Sequence, residues 1–351
     1  MRVVVTGATG NAGTSLVAAL SADPQVESVL GLARRLPALD IAGVAWRQAD
    51  IRRSDLTSIF AGADAVIHLA WLIQPSRDRE TLRAVNFEGS ARVFEAVAGA
   101  GVPTLLYASS VGAYSPGPKD RRVDESWPTN GIESSFYARD KADTETILDG
   151  FERENPDVRV VRLRPGLIFK REAATGIRRL FAGPFVPSPL FDPRLIPVVP
   201  DLPGLSFQAV HSRDVAEAFR LALLRGEARG AFNVAAEPVL DPQRLRVLLG
   251  ARPVRSSRRV LRALVDASWR ARLQPTPPGW LDMALAVPLM DTGRAREVLG
   301  WEPRHGADQA LLELLRGLRD GAGLATPPLD PRASGPIRLR EVRAGVGARS
   351  V

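Results

Sequence analysis

A stretch near the start of the chain decides the fold: Val3-Val4-Val5-Thr6-Gly7-Ala8-Thr9-Gly10-Asn11-Ala12-Gly13. The apolar run predicts a buried strand, and the pattern from Thr14 to Leu20 predicts a helix. Glycine lets the backbone turn tightly, and the free N–H groups at the start of a helix attract phosphate. This order therefore predicts a pyrophosphate site. The first glycine interval departs from the G-x-G-x-x-G form, so a purely structural turn remains an alternative.

Apolar runs recur along the first half of the chain, with helical patterns between them. The predicted strands are 2–6, 26–33, 44–48, 65–69, 104–108 and 159–164. The predicted helices are 14–20, 54–60, 79–100 and 135–154. The strands are continuously apolar, as expected when helices cover both faces of a parallel sheet. Alternation of this kind predicts an α/β fold with a doubly wound parallel sheet of the Rossmann type.

The amino-acid composition of the sequence changes after Pro165. Residues 183–205 contain seven prolines, which neither a central strand nor a long helix tolerates. We predict a dinucleotide-binding domain over residues 1–165, completed by about 206–236 through a helix over 213–225 and a strand over 231–235. Residues 166–205 and 237–320 would form a smaller C-terminal substrate-binding lobe. Residues 321–351 are predicted to be a disordered basic tail.

Composition limits the classes of partner. The formal net charge is +8, but the arginines are scattered and no recognition motif accompanies them, so no nucleic-acid partner is expected. The chain has no cysteine, which excludes disulfides, thiolate metal sites and a thiol nucleophile. Its three histidines are too far apart for a local metal motif, and no metal is expected. A small-molecule substrate is the expected partner.

Location follows from the apolar pattern. The longest apolar stretches are interrupted by polar residues and fall short of a membrane span. The first strand begins at residue 2, which leaves no room for a signal peptide. We therefore expect a cytoplasmic protein without a membrane partner.

Two arginines follow the second predicted strand. An NAD enzyme carries an acidic residue near this point, where Ala33 stands here. Arg34 and Arg35 instead indicate a 2′-phosphate, and hence NADP, with NAD as the other candidate. The alternative is that both arginines belong to an exposed loop.

A second cluster is suited to acid–base chemistry. Tyr137 and Lys141 lie four apart in a predicted helix, so both side chains project from one face. A neighbouring cation favours the ionised form of a tyrosine, which makes it usable as an acid or base. Ser110 follows the strand over 104–108 and would point into the crevice where ligands bind. A chance Tyr–Lys spacing and an ordinary turn serine are the alternatives.

The chain resembles the extended short-chain dehydrogenase/reductase family, also called the NAD-dependent epimerase/dehydratase family. The matching segments occur in family order: 6–13, 49–52, 68–70, 85–89, 107–110, Tyr137 with Lys141, 163–166, 210–216, 232–234 and 299–303.

The resemblance implies roles for individual residues. Tyr137 would be the acid/base, Lys141 would lower its pKa and bind the nicotinamide ribose, and Ser110 would hydrogen-bond the substrate oxygen. The cofactor would contact positions distributed along the first half of the chain: Gly7, Thr9, Gly10, Asn11, Ala12, Gly13, Asp50, Ile51, Leu69, Ala70, Asn86 and Pro165. Asn86 could alternatively orient its helix. Hydride would pass between the cofactor and a secondary alcohol or ketone.

Departures from the family pattern narrow the expected reaction. Ser110 is followed by Val111 and Gly112 where sugar-nucleotide dehydratases carry Asp-Glu, so dehydration is not expected. Phe169-Lys170-Arg171 replaces a Tyr-Gly-Pro, and 206–209 departs from an Arg-Asp-aromatic segment. These changes leave a nucleotide-linked sugar as only one candidate substrate, beside a non-sugar metabolite.

The remaining expectations concern the substrate lobe and the assembly. Trp71, Gln74 and His211 would face the substrate, with a packing role equally open for Trp71 and His211. Apolar side chains would cap the site: Phe181, Phe185, Leu190 and Phe191. The family suggests a homodimer through helices 79–100 and 135–154. A non-catalytic NADP-sensing regulator is the alternative to an oxidoreductase or epimerase.

Overall fold

The main sheet organises the molecule, of which the computed structural model describes residues 1–74, 76–333 and 346. Its strands are β1 (Arg2–Thr6), β2 (Ser28–Ala33), β3 (Val44–Gln48), β4 (Ala65–His68), β5 (Thr104–Ala108), β6 (Arg159–Pro165) and β7 (Gly230–Val234). All pairs are parallel and the spatial order is β3-β2-β1-β4-β5-β6-β7. The order reverses between β1 and β4, where a crevice opens at the carboxyl ends of the strands. The doubly wound prediction is confirmed.

Helices cover both faces of this sheet and build the second lobe. They are α1 (Asn11–Ser21), α2 (Leu56–Phe60), α3 (Arg79–Arg83), α4 (Gly89–Gly99), α5 (Phe136–Glu154), α6 (Ala174–Ile177), α7 (Ser212–Leu224), α8 (Pro242–Leu249), α9 (Arg258–Arg270), α10 (Gly279–Ala286), α11 (Gly293–Leu299) and α12 (Ala307–Asp320). Leu16 of α1 and Phe219 of α7 join one core, whereas Phe94 of α4 and Leu148 of α5 join the core on the opposite face. Burial on both faces explains the continuously apolar strands.

The helix predicted over residues 79–100 is divided. A π-helical turn, Ala84–Glu88, separates α3 from α4. Gly89 follows that turn closely packed, since a Cβ there would lie 2.8 Å from the Ile51 side chain. The turn brings the Asn86 side chain to the loop after β4, in keeping with the frequent occurrence of π-turns at functional sites.

Smaller sheets hold the second lobe. Leu167–Phe169, Phe207–His211 and Ala236–Leu240 form a three-stranded sheet, so residues 207–211 do not join the main sheet. Val198–Asp201 pairs with Arg252–Arg255, and Arg122–Val123 pairs with Leu289–Met290. Between Phe207–His211 and Ala236–Leu240, the chain returns to the main sheet as β7, which lies beside β6.

The first part of the predicted disordered tail is ordered. Residues 321–333 cross the molecule, and Thr326 donates a hydrogen bond from Oγ1 to the Thr9 carbonyl at 3.0 Å. Ala38 N–H donates to the Ala325 carbonyl at 2.9 Å, and Thr175 N–H donates to the Ala322 carbonyl at 3.1 Å. The prediction was wrong for this segment because its order comes from distant partners. Residues 334–345 and 347–351 lie outside the described residues.

Candidate active site

The glycine turn is shaped by close backbone approaches. Gly7 has a φ of +70°, and a Cβ there would lie 2.6 Å from the Ala70 nitrogen and 2.7 Å from the Leu69 carbonyl carbon. A Cβ at Gly13 would lie 2.3 Å from the Gly7 carbonyl oxygen. Gly10 N–H donates to that same oxygen at 3.0 Å. Only glycine fits at positions 7 and 13, because each approach is closer than a side chain allows.

The start of α1 is open to an anion. Gly10 caps the helix and supplies no side-chain hydrogen bond. The first amides of a helix have no partner within the helix, so those of Asn11, Ala12 and Gly13 need an outside acceptor. The Thr326 contact goes to the Thr9 carbonyl and leaves these amides unaffected. The turn therefore fits the pyrophosphate of a dinucleotide.

A buried cation lies beside this turn. Lys170 Nζ donates to the Asn11 carbonyl at 2.8 Å, to Thr14 Oγ1 at 2.7 Å and to Ser15 Oγ at 3.1 Å. Burial lowers the pKa of Lys170 to about 8. The sequence marked residue 170 only as a departure from the family pattern, and its contact with α1 could not be read from local spacing.

The structure brings Ser110, Tyr137 and Lys141 together. Ser110 lies just beyond β5, accepts a hydrogen bond from Gly112 N–H at 3.0 Å and hydrogen-bonds Tyr137. Tyr137 occupies the first turn of α5, and Lys141 follows one turn later. Lys141 Nζ donates to the Ala108 carbonyl at 2.7 Å, at the end of β5. The geometric prediction made from the Tyr–Lys spacing therefore agrees with the structure.

Burial is the largest influence on the pKa values of both Tyr137 and Lys141. Burial raises the pKa of Tyr137, and the Ser110 hydrogen bond opposes that rise. Burial also holds the pKa of Lys141 well below its usual range, although Glu145 and Asp140 act in the opposite direction. The Lys141 ammonium is directed to the Ala108 carbonyl and to an aromatic ring, and its effect on the pKa of Tyr137 stays a prediction.

That ring belongs to an aromatic cluster around the tyrosine. The Trp71 ring centroid lies 3.5 Å from Lys141 Nζ, and Trp71 meets Tyr137 edge-on at 6.0 Å. The Trp280 ring of α10 packs against the Tyr137 ring with 4.7 Å between ring centroids, and the Phe181 ring packs against Trp280 with 4.9 Å between centroids. Trp71 and Phe181 were predicted near the site. Trp280 was missed because its position more than a hundred residues later carries no local signal.

The other predicted capping residues lie elsewhere. Phe185 and Leu190 are 49% and 55% exposed. Phe191 packs with Ala174 and Leu314 in a separate apolar cluster. That these three cap the substrate stays a prediction, since an apolar residue in a proline-rich segment carries no information about direction.

Gln74 and His211, both predicted to face the substrate, form hydrogen bonds within the chain. Gln74 Nε2 donates to the carbonyls of Leu180, at 3.0 Å, and Pro275, at 3.2 Å, and its Oε1 accepts from the Ser76 amide. Its polar groups therefore bind the chain itself and tie loops together.

His211 has a similar structural role. Its Nδ1 accepts from the Arg213 amide at 3.1 Å and caps α7, and its Nε2 lies 3.2 Å from Glu313. Its ring stacks on His305 at 4.1 Å. Both ring nitrogens are used within the protein, which is what the packing alternative for His211 expects.

The predicted cofactor positions at the strand ends occupy one edge of the sheet. Arg34 is half-buried at the end of β2, and Arg35 is exposed. Burial lowers the pKa of Arg34, and the nearby Asp50 opposes that effect. Asp50 pairs with Arg52 at 2.8 Å, and Ile51 packs against Gly89. Arg34 thus lies within the crevice edge, and Arg35 matches the exposed-loop alternative.

The loop after β4 is held in place by hydrogen bonds from the main chain and from the Asn86 side-chain amide. Leu69 N–H donates to the Thr6 carbonyl at 3.1 Å. Asn86 donates from Nδ2 to the Leu72 carbonyl at 2.8 Å and accepts from the Leu72 amide at 2.7 Å. Both amide atoms of Asn86 are used, so it orients this loop rather than facing the crevice. Pro165 lies buried at the end of β6, on the same edge.

A buried ion pair anchors α5. Glu145 of α5 accepts from Arg164 Nε at 2.8 Å and from Nη2 at 2.5 Å. Ser109 Oγ donates to the same carboxylate. Arg164 also donates from Nη1 to Tyr114 Oη at 3.0 Å. This network joins α5 to the ends of β5 and β6, and sequence reasoning did not find it.

Comparison with known proteins identifies the family. A family model described as "NAD dependent epimerase/dehydratase family" matches residues 3–180. The chain belongs to this family. The resemblance drawn from the sequence is confirmed.

The curated relatives of this family member differ in length. An uncharacterised protein of Mycobacterium tuberculosis is 28% identical over 326 residues, covering 92% of this chain and 31% of that protein. The chain thus spans only about a third of the length of the first relatives it matches. UDP-glucose 4-epimerase of Mycolicibacterium smegmatis is 28% identical over 339 residues, covering 91% of this chain and 99% of that enzyme.

Solved structures show the same fold. UDP-glucose 4-epimerase of Thermus thermophilus, in complex with NAD, is 24% identical with a TM-score of 0.66, over 91% of this chain and 99% of that chain. The dTDP-glucose 4,6-dehydratase DesIV of Streptomyces venezuelae is 19% identical with a TM-score of 0.66, over 91% and 97% of the two chains. These likenesses establish the architecture.

None of the helices within residues 1–74 and 76–333 is both long and apolar enough to cross a membrane. No group of three or more potential metal-ligating side chains occurs in the part of the chain that the structure describes.

Proposed function

We propose that the protein is an NAD(P)-dependent oxidoreductase or epimerase that acts on a secondary alcohol or ketone. The observation that carries the proposal is the convergence of Ser110, Tyr137 and Lys141 at the end of β5, on the sheet edge to which the open N-terminus of α1 also belongs. Family membership supports the same reaction class. A sensor without chemistry has no need of this acid–base group.

The residues have distinct tasks in this proposal. The amides of Asn11, Ala12 and Gly13 would hold the pyrophosphate, and the bound dinucleotide would supply hydride exchange at its nicotinamide. Tyr137 would take the proton from the substrate hydroxyl or return it, and Ser110 would hydrogen-bond the same oxygen. Lys141 would orient the nicotinamide ribose. Trp71 covers the Lys141 ammonium, so we expect its ring to move when the ribose binds.

The cofactor preference can be tested at the end of β2. We propose NADP, because Arg34 is half-buried at the crevice edge and would meet a 2′-phosphate. Arg34→Ala should weaken NADP binding by about tenfold, equivalent to about 1.4 kcal/mol, with little effect on NAD. Arg53→Ala, at an exposed position in the loop after β3, is the control. Calorimetric titration of both cofactors measures the effect, and equal losses for NAD and NADP would contradict the preference.

The substrate class remains between two candidates. The relatives named as UDP-glucose 4-epimerases support a nucleotide-linked sugar. The changes at 169–171 and 206–209 support a smaller non-sugar alcohol or ketone. Parallel assays of UDP-glucose epimerisation and of hydride transfer with a panel of secondary alcohols and ketones separate the two.

The acid–base role is tested by Tyr137→Phe. Loss of the hydroxyl should lower kcat by about 10²–10⁴-fold, because proton transfer to the reacting oxygen is lost. Cofactor binding should persist. Full activity of the variant would refute the assigned role. Cofactor binding by the wild-type protein without any turnover would instead favour the sensing regulator.

A further inference from the structure

A cavity of about 400 Å³ lies beside the aromatic cluster. It is formed between the start of α5, the end of α9, the start of α10 and the loop before α3. Phe136 and Gly279 line it, and their chain neighbours Tyr137 and Trp280 belong to the aromatic cluster. The Phe136 ring also meets the Trp280 ring edge-on at 6.3 Å, so the cavity adjoins the aromatic cluster, and none of its lining residues has a role in the function proposed above.

Three arginines line this cavity: Arg77, Arg79 and Arg139. The Arg77 guanidinium lies over the Trp269 ring at 4.3 Å, and the Arg79 guanidinium lies over the Phe136 ring at 4.1 Å. Stacking on aromatic faces holds guanidinium planes in place. Two of the three cations are thus positioned before any ligand arrives.

Several donors in this cavity wall lack acceptors. Arg77 Nε, Arg79 Nη1 and Trp269 Nε1 are buried and have no hydrogen-bond partner among the described residues. Buried donors are normally satisfied, so unpaired donors from three neighbouring side chains indicate a missing acceptor.

The local charge is positive. Asp140 pairs with Arg79 at 3.0 Å, and Asp143 pairs with Arg83 outside the cavity lining. Arg139 donates to the Glu133 carbonyl at 2.6 Å, which is a neutral acceptor. Arg77 donates to the Trp269 carbonyl, which is also a neutral acceptor. Burial and the nearby Arg272 charge both lower the pKa of Arg77. Among the described residues, the Arg77 and Arg139 charges therefore have no carboxylate partner.

We propose that this cavity binds a phosphate group. A phosphate group offers several acceptor oxygens and up to two negative charges, which match the unpaired donors and the surplus of arginine. The group could belong to the substrate of the proposed reaction or to a separate phosphate ligand. Only the first source rests on the proposed function.

Inorganic phosphate, titrated calorimetrically into the full-length protein saturated with NADP, tests the site. Arg139→Gln and Trp269→Phe should each weaken phosphate binding by about tenfold, because each removes a donor while keeping most of the packing. Arg259→Gln, an exposed charge change on α9, is the matched control and should bind like the wild type. Thermal unfolding of each variant confirms that it is folded. Unsaturable binding, or equal affinity in the wild type and both cavity variants, would overturn the proposal.

Turnover measurements then identify the source of the phosphate group. Competitive inhibition by inorganic phosphate against the substrate, lost in Arg139→Gln, supports a phosphate carried by the substrate. Saturable phosphate binding without competition supports a separate ligand at the same cavity. The calorimetric result does not depend on turnover, so failure of the proposed function and failure of this site are distinguishable.

Discussion

At the scale of the residue, the ionisation of Tyr137 is the central quantity. The chain contains three tyrosines, which makes each accessible to ultraviolet titration. Burial raises the pKa of Tyr114 to about 12 and holds that of Tyr107 well above its usual value. Burial also raises the pKa of Tyr137, but the Ser110 hydrogen bond favours the charged form of this tyrosine. Ser110 thus influences the ionisation of Tyr137, in addition to its proposed hydrogen bond to the substrate oxygen.

Ser110→Ala should move the ionisation of Tyr137 to higher pH. Loss of the hydrogen bond removes the contribution that lowers the pKa, so tyrosinate forms only at higher pH than in the wild type. The change in tyrosinate absorbance with pH measures the step, and Tyr137→Phe identifies it by its disappearance. An unchanged or lower pKa in Ser110→Ala would argue against this contact.

Residue roles could be predicted where one local pattern determines them. Tyr137 and Lys141 share a helix face, and the glycines of the turn fit where no Cβ is allowed. The pKa direction of Tyr137 could not be predicted, because burial depends on residues such as Trp280. The partners of Gln74 could not be predicted for the same reason, since they lie at Leu180 and Pro275.

At the scale of the element, α5 depends on its anchor at Glu145. The carboxylate is buried, and two bonds from Arg164 join the helix to β6. The neighbouring arginines outweigh burial and hold the pKa of Glu145 below its usual value. The ion pair therefore contributes stability above the unfolded pKa of about 4.3, and that contribution is lost as pH falls through the lower folded value.

Glu145→Ala should lower the free energy of unfolding by about 3–5 kcal/mol, because it leaves the buried Arg164 charge without its partner. Glu154→Ala, at the exposed end of the same helix, should change stability little. Chemical denaturation of both variants at neutral pH measures the difference. Equal stability of the two would show that Arg164 finds another partner.

Elements were predicted well where burial imposes a period. The bounds of β1, β3 and β5 match the prediction, and α5 differs by one residue at its start. The helix over 79–100 was predicted without its π-turn, because periodicity does not report an inserted residue. That turn depends on Asn86 and Leu72 in a separate loop.

At the scale of the whole molecule, residues 322–329 connect distant parts of the fold. Their contacts reach Thr9 in the glycine turn, Ala38 beyond β2 and Thr175 in α6. Low periodicity predicted disorder, yet these bonds come from partners up to 317 residues away in sequence. We expect this segment to restrain the cofactor crevice.

Thr326→Val should speed dissociation of the dinucleotide severalfold. The change removes one buried hydrogen bond to the Thr9 carbonyl, worth about 1 kcal/mol. Thr146→Val is the control, since that hydroxyl bonds only within its own helix, to the Ala142 carbonyl. Stopped-flow displacement of the cofactor measures both rates, and identical rates would show that the segment does not restrain the crevice.

The molecule as a whole is built around the glycine turn, so cofactor binding is the direct test. Calorimetry with NADP and NAD should give one dinucleotide per chain for the wild type and for Gly226→Ala, where a Cβ meets open space. Gly13→Ala should weaken binding at least about tenfold, since its Cβ would lie 2.3 Å from the Gly7 carbonyl oxygen. Wild-type binding of neither dinucleotide, or undiminished binding by Gly13→Ala, would contradict the account.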